Sequence, residues 1–174
     1  MKAISNAVQI TNCKRQDANL KKLLTKAKFY ENKTKAKTFK CKRSNCSLCS
    51  NNEFIETSSY LFKNSNFNFI IKHSMSCDSQ NLIYLLFCNN CNAEYIGETS
   101  NTLRKRITVH HQQIKDSSLR KLKVSTHIHN CSTSKKPNFK VIPIFKMPQD
   151  SSEIDRRSKE QILINKLKPS LNQN

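Results

Sequence analysis

The eight cysteines of the chain fall into groups whose spacing suits metal coordination. Cys88-x2-Cys91 offers two thiolates from a short knuckle, and His127-x3-Cys131 offers an imidazole and a thiolate one helical turn apart. Together they supply the ligand count and types of a structural Zn²⁺ site, with His129 as the substitute ligand. Cys41-x4-Cys46-x2-Cys49 gives three more thiolates. Cys77 is the chosen fourth ligand of this second site, with His73 and Cys13 as alternatives. A different chemistry is available further along. Arg106 and His110 stand four apart on one helix and can address the same phosphate, Arg106 through its bidentate fork. Glu160 lies within two turns of Leu163, Ile164 and Leu167, at the inward edge of an apolar stripe, where a carboxylate can hold Mg²⁺. With the hydroxyls of Tyr84 and Tyr95, these groups suit phosphodiester hydrolysis: a carboxylate for a cation, a cation for a phosphate, and hydroxyl or imidazole for a nucleophilic water.

Each residue also has a plainer reading. His110 on an apolar stripe is, alone, a packed histidine, and Tyr84 and Tyr95 in strands are core aromatics. Glu160 alone is a helix residue paired with Arg156 or Arg157, and Asn172 alone is chain end.

The elements that must position these groups are legible from period and punctuation. Asn81 to Phe87 and Glu94 to Gly97 predict an antiparallel hairpin with cysteines near its tip. Thr99 or Ser100 caps a helix whose stripe is Leu103, Ile107, His110 and Ile114. A shorter helix is expected over Ser117 to Ser125, and a strand over Phe139 to Phe145 that Pro143 confines to an edge or a strand end. Ser151 or Ser152 opens a last helix, which Pro169 stops. Upstream, Asp17 to Tyr30 reads as a basic amphipathic helix. Phe54 to Thr57, Tyr60 to Lys63 and Asn68 to Lys72 read as short strands, the last two joined by Asn64, Ser65 and Asn66. Gly97 is the single glycine, so asparagines are expected at the positive-φ turns.

In order and spacing, Leu82-Ile83-Tyr84, Tyr95-Ile96-Gly97, Arg106, His110, Glu160 and Asn172 resemble the GIY-YIG nuclease signature. Cys77 to Tyr84, Cys88 to Cys91, Tyr95 to Thr99, Leu103 to Arg106, His110 and Lys166 to Asn172 resemble, more closely, the endonuclease of Penelope-like retroelements. In that group the first motif commonly lacks its Gly and a Cys pair stands between the two halves, as Leu82 and Cys88 to Cys91 do here. The resemblance covers Cys77 to Asn172, and the Cys41 to Cys49 cluster resembles the linker preceding that nuclease. It implies an α/β (α+β) fold, a small antiparallel sheet flanked by helices, and Mg²⁺- or Mn²⁺-assisted cleavage of DNA. It also implies roles: Glu160 on the metal, Arg106 on the scissile phosphate or leaving group, Tyr84, helped by Tyr95 or His110, orienting or deprotonating water, and Asn172 ordering the site. A retroelement nuclease would nick a target to expose a 3′ end for priming, with element RNA or a reverse transcriptase as partner.

Lys and Arg total 31 against 12 Asp and Glu, a formal charge of +19, so the partner is a polyanion and DNA comes first. Lys33, Lys35, Lys37, Lys40 and Arg104 are the expected phosphate contacts. No apolar run approaches the ~20 residues of a spanning helix, and no signal-peptide h-region is present, which points to an intracellular, nuclear protein. The organisation expected is a basic zinc-binding linker region over residues 1–67 and a nuclease domain over 68–174, the second zinc site serving binding or positioning more than catalysis. Two rivals stand beside this: a catalytically inactive zinc-containing nucleic-acid-binding module, and a zinc-stabilised interaction domain, which leaves the +19 charge unexplained.

Overall fold

In the computed structural model, which describes residues 36–119, 122–131 and 138–173, the centre is the strand Leu82–Cys88 (β3). Leu82 through Leu86 have no exposed surface. A continuous apolar run of this kind belongs to a strand covered on both faces. Glu94–Thr99 (β4) and Phe139–Lys146 (β5) pair antiparallel with β3 on either side, in the order β4-β3-β5. Pro143 stands opposite Tyr84, where the β3–β5 register shifts, on an outer strand that tolerates a residue without an N–H. The β3–β4 connection carries the Cys88 to Cys91 knuckle at the hairpin tip, as expected.

Helices flank this sheet. Leu103–Lys115 (α2, following the short helix α1 described below) buries Leu103, Ile107, His110 and Ile114, the anticipated stripe. Its cap is Thr102, whose hydroxyl accepts from Lys105 N at 3.4 Å, rather than Thr99 or Ser100. The Thr99 hydroxyl is taken by Asn101 N at 3.1 Å, a local turn that delays the helix start. The expected helix over Ser117 to Ser125 is instead a 3₁₀ turn, Ser117–Leu119, and then a helix, Lys123–Cys131 (α3). Val124 and Ile128, four apart and buried, anchor α3, and Ser125 is buried within it rather than ending it. The last helix, Glu153–Leu167 (α4), opens with a full capping box between Ser152 and Asp155, an arrangement that stabilises by about 1 kcal/mol. It closes on Lys168 in the left-handed conformation, φ 51°, before Pro169.

The segment before β3 joins the same core. Ser59–Phe62 (β1) and Phe67–Ile70 (β2) form a two-stranded antiparallel sheet. The strand expected over Phe54 to Thr57 reduces to one parallel bridge, Phe54 with Val141, because the segment docks on the free edge of β5. Val141 N donates to Glu53 O at 2.8 Å and Ile55 N to Val141 O at 3.1 Å. Leu48, on the short helix Ser47–Ser50 (α1), and Phe54 are each 2% exposed and belong to the cluster built on β3. His111 Nε2 and Glu53 Oε2 stand 2.9 Å apart, tying α2 to this segment. Glu94 Oε1 accepts from Tyr60 Oη at 3.0 Å and Lys63 N at 3.1 Å, tying β4 to the β1–β2 hairpin. Lys35–Asn174 accordingly form one compact unit. The fold is mixed α/β, small antiparallel sheets flanked by helices.

Asparagines take the turns as anticipated: Asn52, Asn66, Asn81 and Asn92 have positive φ, with Lys168 the remaining non-glycine case. The expected helix from Asp17 to Tyr30, and Cys13, Lys33 and Lys35, lie outside the described residues. Among the described residues no helix is long and apolar enough to cross a membrane.

Candidate active site and two candidate metal centres

Tyr84 and Gly97 face each other across the β3–β4 ladder. A Cβ on Gly97 would lie 2.5 Å from Tyr84 Oη, 2.7 Å from Tyr84 Cζ and 2.8 Å from Tyr95 Cε1. Since Gly97 does not have a positive φ, glycine is needed here for space and not for backbone freedom. The room it leaves lets the Tyr84 hydroxyl lie over the strand and reach His110 Nε2 at 2.8 Å, while Arg106 Nε donates to the same hydroxyl at 3.0 Å. Gly97→Ala is therefore expected to destabilise the fold by about 1–3 kcal/mol and to spoil the contacts among Tyr84, His110 and Arg106. Thermal unfolding checks it; a variant as stable as the parent would mean that the phenol need not occupy this position.

His110 is fully buried, and its Nδ1 has no hydrogen-bond partner. One proton, carried by the phenol or by the imidazole, makes the 2.8 Å contact between Tyr84 Oη and His110 Nε2. Burial, reinforced by the Arg106 charge, pulls His110 down to about 3, so the ring is neutral at ordinary pH. Tyr84 Oη thus accepts from Arg106 and shares one proton with His110. Burial nevertheless pushes the Tyr84 phenol up, more than Arg106 pulls it down, and the side chain has no exposed surface. Tyr95, by contrast, is half-buried and meets the His110 ring edge-on at 6.2 Å. Arg106 uses Nε on Tyr84 and also interacts with Tyr95.

Glu160 is half-buried and does not pair with Arg156 or Arg157. Arg156 Nε goes to Glu98 Oε2 at 2.9 Å, and Arg157 goes to Glu153 at 2.6 Å. Burial, followed by the nearby Glu98 carboxylate, pushes Glu160 up to about 7. Glu98 and the buried Arg156 were not anticipated as site residues, although signals existed. Glu98 follows Gly97 directly. Arg156, Glu160, Leu163 and Leu167 repeat at spacings of four, three and four, and charged residues on a helix's inward stripe are rare without a task.

Asn172 is not chain end. Its Oδ1 accepts from Ile96 N at 2.7 Å and its Nδ2 donates to Ile96 O at 2.9 Å, so the amide clamps the outer edge of β4 at the residue before Gly97. Arg104, expected to contact phosphate, is paired with Asp78 at 3.0 Å, and Arg43 pairs with the same carboxylate at 3.0 Å. Two guanidinium groups share that one carboxylate. Lys40 Nζ donates to Asn52 Oδ1 at 2.9 Å, and Lys37 is exposed.

Both cysteine groups assemble as four-ligand clusters. The ligand atoms of Cys88, Cys91, His127 and Cys131 all lie within 4.8 Å of one another, as do those of Cys41, Cys46, Cys49 and Cys77. In the first, Cys91 Sγ stands 3.2 Å from His127 Nε2; α3 brings His127 and Cys131 under the hairpin tip, and His129 is exposed outside the cluster. In the second, Cys77 Sγ is 3.5 Å from both Cys46 and Cys49, while His73 packs edge-on against Phe145 at 5.8 Å instead. Four soft ligands converging this closely fit a tetrahedral Zn²⁺. Burial pushes the Cys77 thiol up, so a thiolate there needs a compensating cation.

No curated protein and no solved structure matches the chain. The sequence model of the GIY-YIG catalytic domain matches residues 80–174, which span Tyr84, Gly97, Arg106, His110, Glu160 and Asn172 in the arrangement described above. A domain of that type accounts for more than half of the chain, and the protein belongs to the GIY-YIG nuclease family.

Proposed function

We propose that the protein is a divalent-cation-dependent DNA endonuclease that nicks a target strand, derived from a Penelope-like retroelement and working in the nucleus. The observation that carries the hydrolytic reading is the placement of one half-buried carboxylate, Glu160, beside an arginine whose Nε is fixed by Tyr84. Residues 68–174 carry the nuclease in this reading and residues 1–67 supply a basic region for DNA. The +19 charge, the cysteine pair between the two halves of the signature and Leu82 in the place of its first Gly support the retroelement origin. Element RNA and a reverse transcriptase would then be the partners.

The donor set fits the cation that the family uses. Glu160 is a hard oxygen ligand whose ionised form burial and Glu98 disfavour more than the backbone of Glu98 and the Arg106 and Arg157 charges favour it, and a bound divalent cation would restore that form. Bound there, Mg²⁺ or Mn²⁺ would polarise a phosphoryl oxygen and neutralise charge developing on the leaving oxygen. The chain's own groups do the rest. Arg106, held at Nε by Tyr84, presents its outer nitrogens to the phosphate. Tyr95 orients the attacking water, and neutral His110 keeps the Tyr84 phenol in place. Asn172 fixes the β4 backbone on which Tyr95 and Gly97 lie.

The test is nicking of supercoiled plasmid with Mg²⁺ and with a chelator, followed across pH. The rate should fall as pH drops through about 7, because Glu160 takes up its proton there and ceases to be a ligand. Raising the Mg²⁺ concentration should move that limb to lower pH, since cation and proton compete for one carboxylate. His110, held down near 3, adds no limb in this range. Nicking in chelator, or a limb indifferent to Mg²⁺, would remove Glu160 from the proposed role.

A further inference from the structure

We infer that the groove at the start of α2 binds the phosphodiester next to the scissile one, through the side chains of Lys105 and Asn101; this rests on the nuclease reading above. The groove encloses about 410 Å³ between the end of β4 and the first turns of α2, with Glu98, Ser100, Asn101, Lys105, Arg106 and Val109 in its walls. Arg106 is shared between groove and site, so whatever fills the groove lies directly beside the group that Arg106 holds.

The ligand is set by which charges remain unanswered. The first-turn backbone N–H groups of α2 are all committed: Leu103 N to Ser79 O at 3.0 Å, Arg104 N to Cys77 O at 2.9 Å, and Lys105 N to Thr102 Oγ1 at 3.4 Å. The helix end therefore offers no free donors, and recognition falls to side chains. Arg104 is turned to Asp78, which it shares with Arg43. Glu98, the one acid in the walls, is neutralised by Arg156. Lys105 is exposed and, among the described residues, makes no ion pair. Asn101 is exposed beside it. Val109, one turn on from Lys105 and 38% exposed, gives an apolar wall suited to a deoxyribose. A mobile ammonium, an amide donor and a small apolar wall, with no aromatic platform for stacking, match one unit of sugar-phosphate backbone rather than a base edge. The binding is accordingly indifferent to sequence.

The experiment uses the full chain and duplex oligonucleotides carrying a single neutral methylphosphonate at successive positions, with Kd measured in chelator and kcat and KM in Mg²⁺. Lys105→Ala should weaken Kd and raise KM about tenfold, with the loss in KM and not in kcat, and should shallow the log K against log salt slope by about one. Lys105→Arg should restore most of the affinity. One flanking methylphosphonate should reproduce the loss in the parent and add nothing in Lys105→Ala. An unchanged slope and KM, or equal losses from every methylphosphonate, would overturn the groove while leaving a cleaving parent intact. A parent that never cleaves yet binds with the Lys105-dependent slope and the position-specific methylphosphonate effect would sustain the groove and overturn the nuclease reading instead.

Discussion

Glu160→Ala should bind DNA as tightly as the parent and nick it at least about 10³-fold more slowly, a loss of ~4 kcal/mol in transition-state stabilisation. The split follows from where Glu160 stands. It is the candidate cation ligand of the site, so the chemistry depends on it. It is not the partner of Arg156 or Arg157, which pair with Glu98 and Glu153, so its removal orphans neither arginine. Burial already disfavours its charge, and an alanine there costs the fold little. Binding draws on a net charge of +19 that losing one carboxylate only increases. Gel-shift and plasmid assays on the same preparation, with a thermal melt as control, measure all three quantities. Undiminished nicking would sink the mechanism. Lost cleavage with lost binding and a lowered melt would mean that Glu160 is structural.

Much of this site was legible in the sequence because its devices are periodic. The stripe Leu103, Ile107, His110 and Ile114 and the hairpin through Tyr84 and Tyr95 follow from spacing alone, and the choice of Cys77 over His73 agrees with the clustering of ligands among the described residues. What escaped depends on contacts that have no local signature. Nothing near Arg104 in sequence indicates that Asp78, 26 residues upstream, will pair with it, whereas Lys105 beside it makes no ion pair among the described residues. The dominance of burial over Tyr84 is likewise a property of the closed sheet: a tyrosine in a strand can be a base or a core aromatic, and only the packing of His110 and Arg106 of α2 against it decides. The helix expected over Ser117 to Ser125 falls short of α3, which the buried pair Val124 and Ile128 carries on through His127 to Cys131. The cysteine segment has little periodicity, and the Phe54 bridge and the Glu53 to His111 pair that fasten the residues after it to the sheet edge and to α2 have no signature in it.

That fastening sets the largest stability effect. Purified protein should carry close to two zinc ions, and Cys88→Ser and Cys46→Ser should each lose one equivalent and each unfold the nuclease. The two clusters hold different seams. Cys88, Cys91, His127 and Cys131 tie the β3–β4 tip to α3, across a chain loop that contains all of α2. Cys41, Cys46, Cys49 and Cys77 tie the segment that edges β5 to the residues leading into β3, and Cys46 and Cys77 are buried within the common core. Structural Zn²⁺ contributes an apparent ~10–16 kcal/mol to small domains, as much as the ~5–15 kcal/mol by which a whole domain is stable. Losing either ion should therefore cost the fold and not only a tether, so Cys46→Ser is not expected to spare catalysis even though its cluster precedes the domain matched by the family. Metal analysis with circular dichroism on parent, Cys88→Ser, Cys46→Ser and chelator-treated protein checks each step. A Cys46→Ser protein that stays folded and nicks at the parent rate would return the second cluster to the role of a linker, and a zinc-free, folded, active parent would refute both centres.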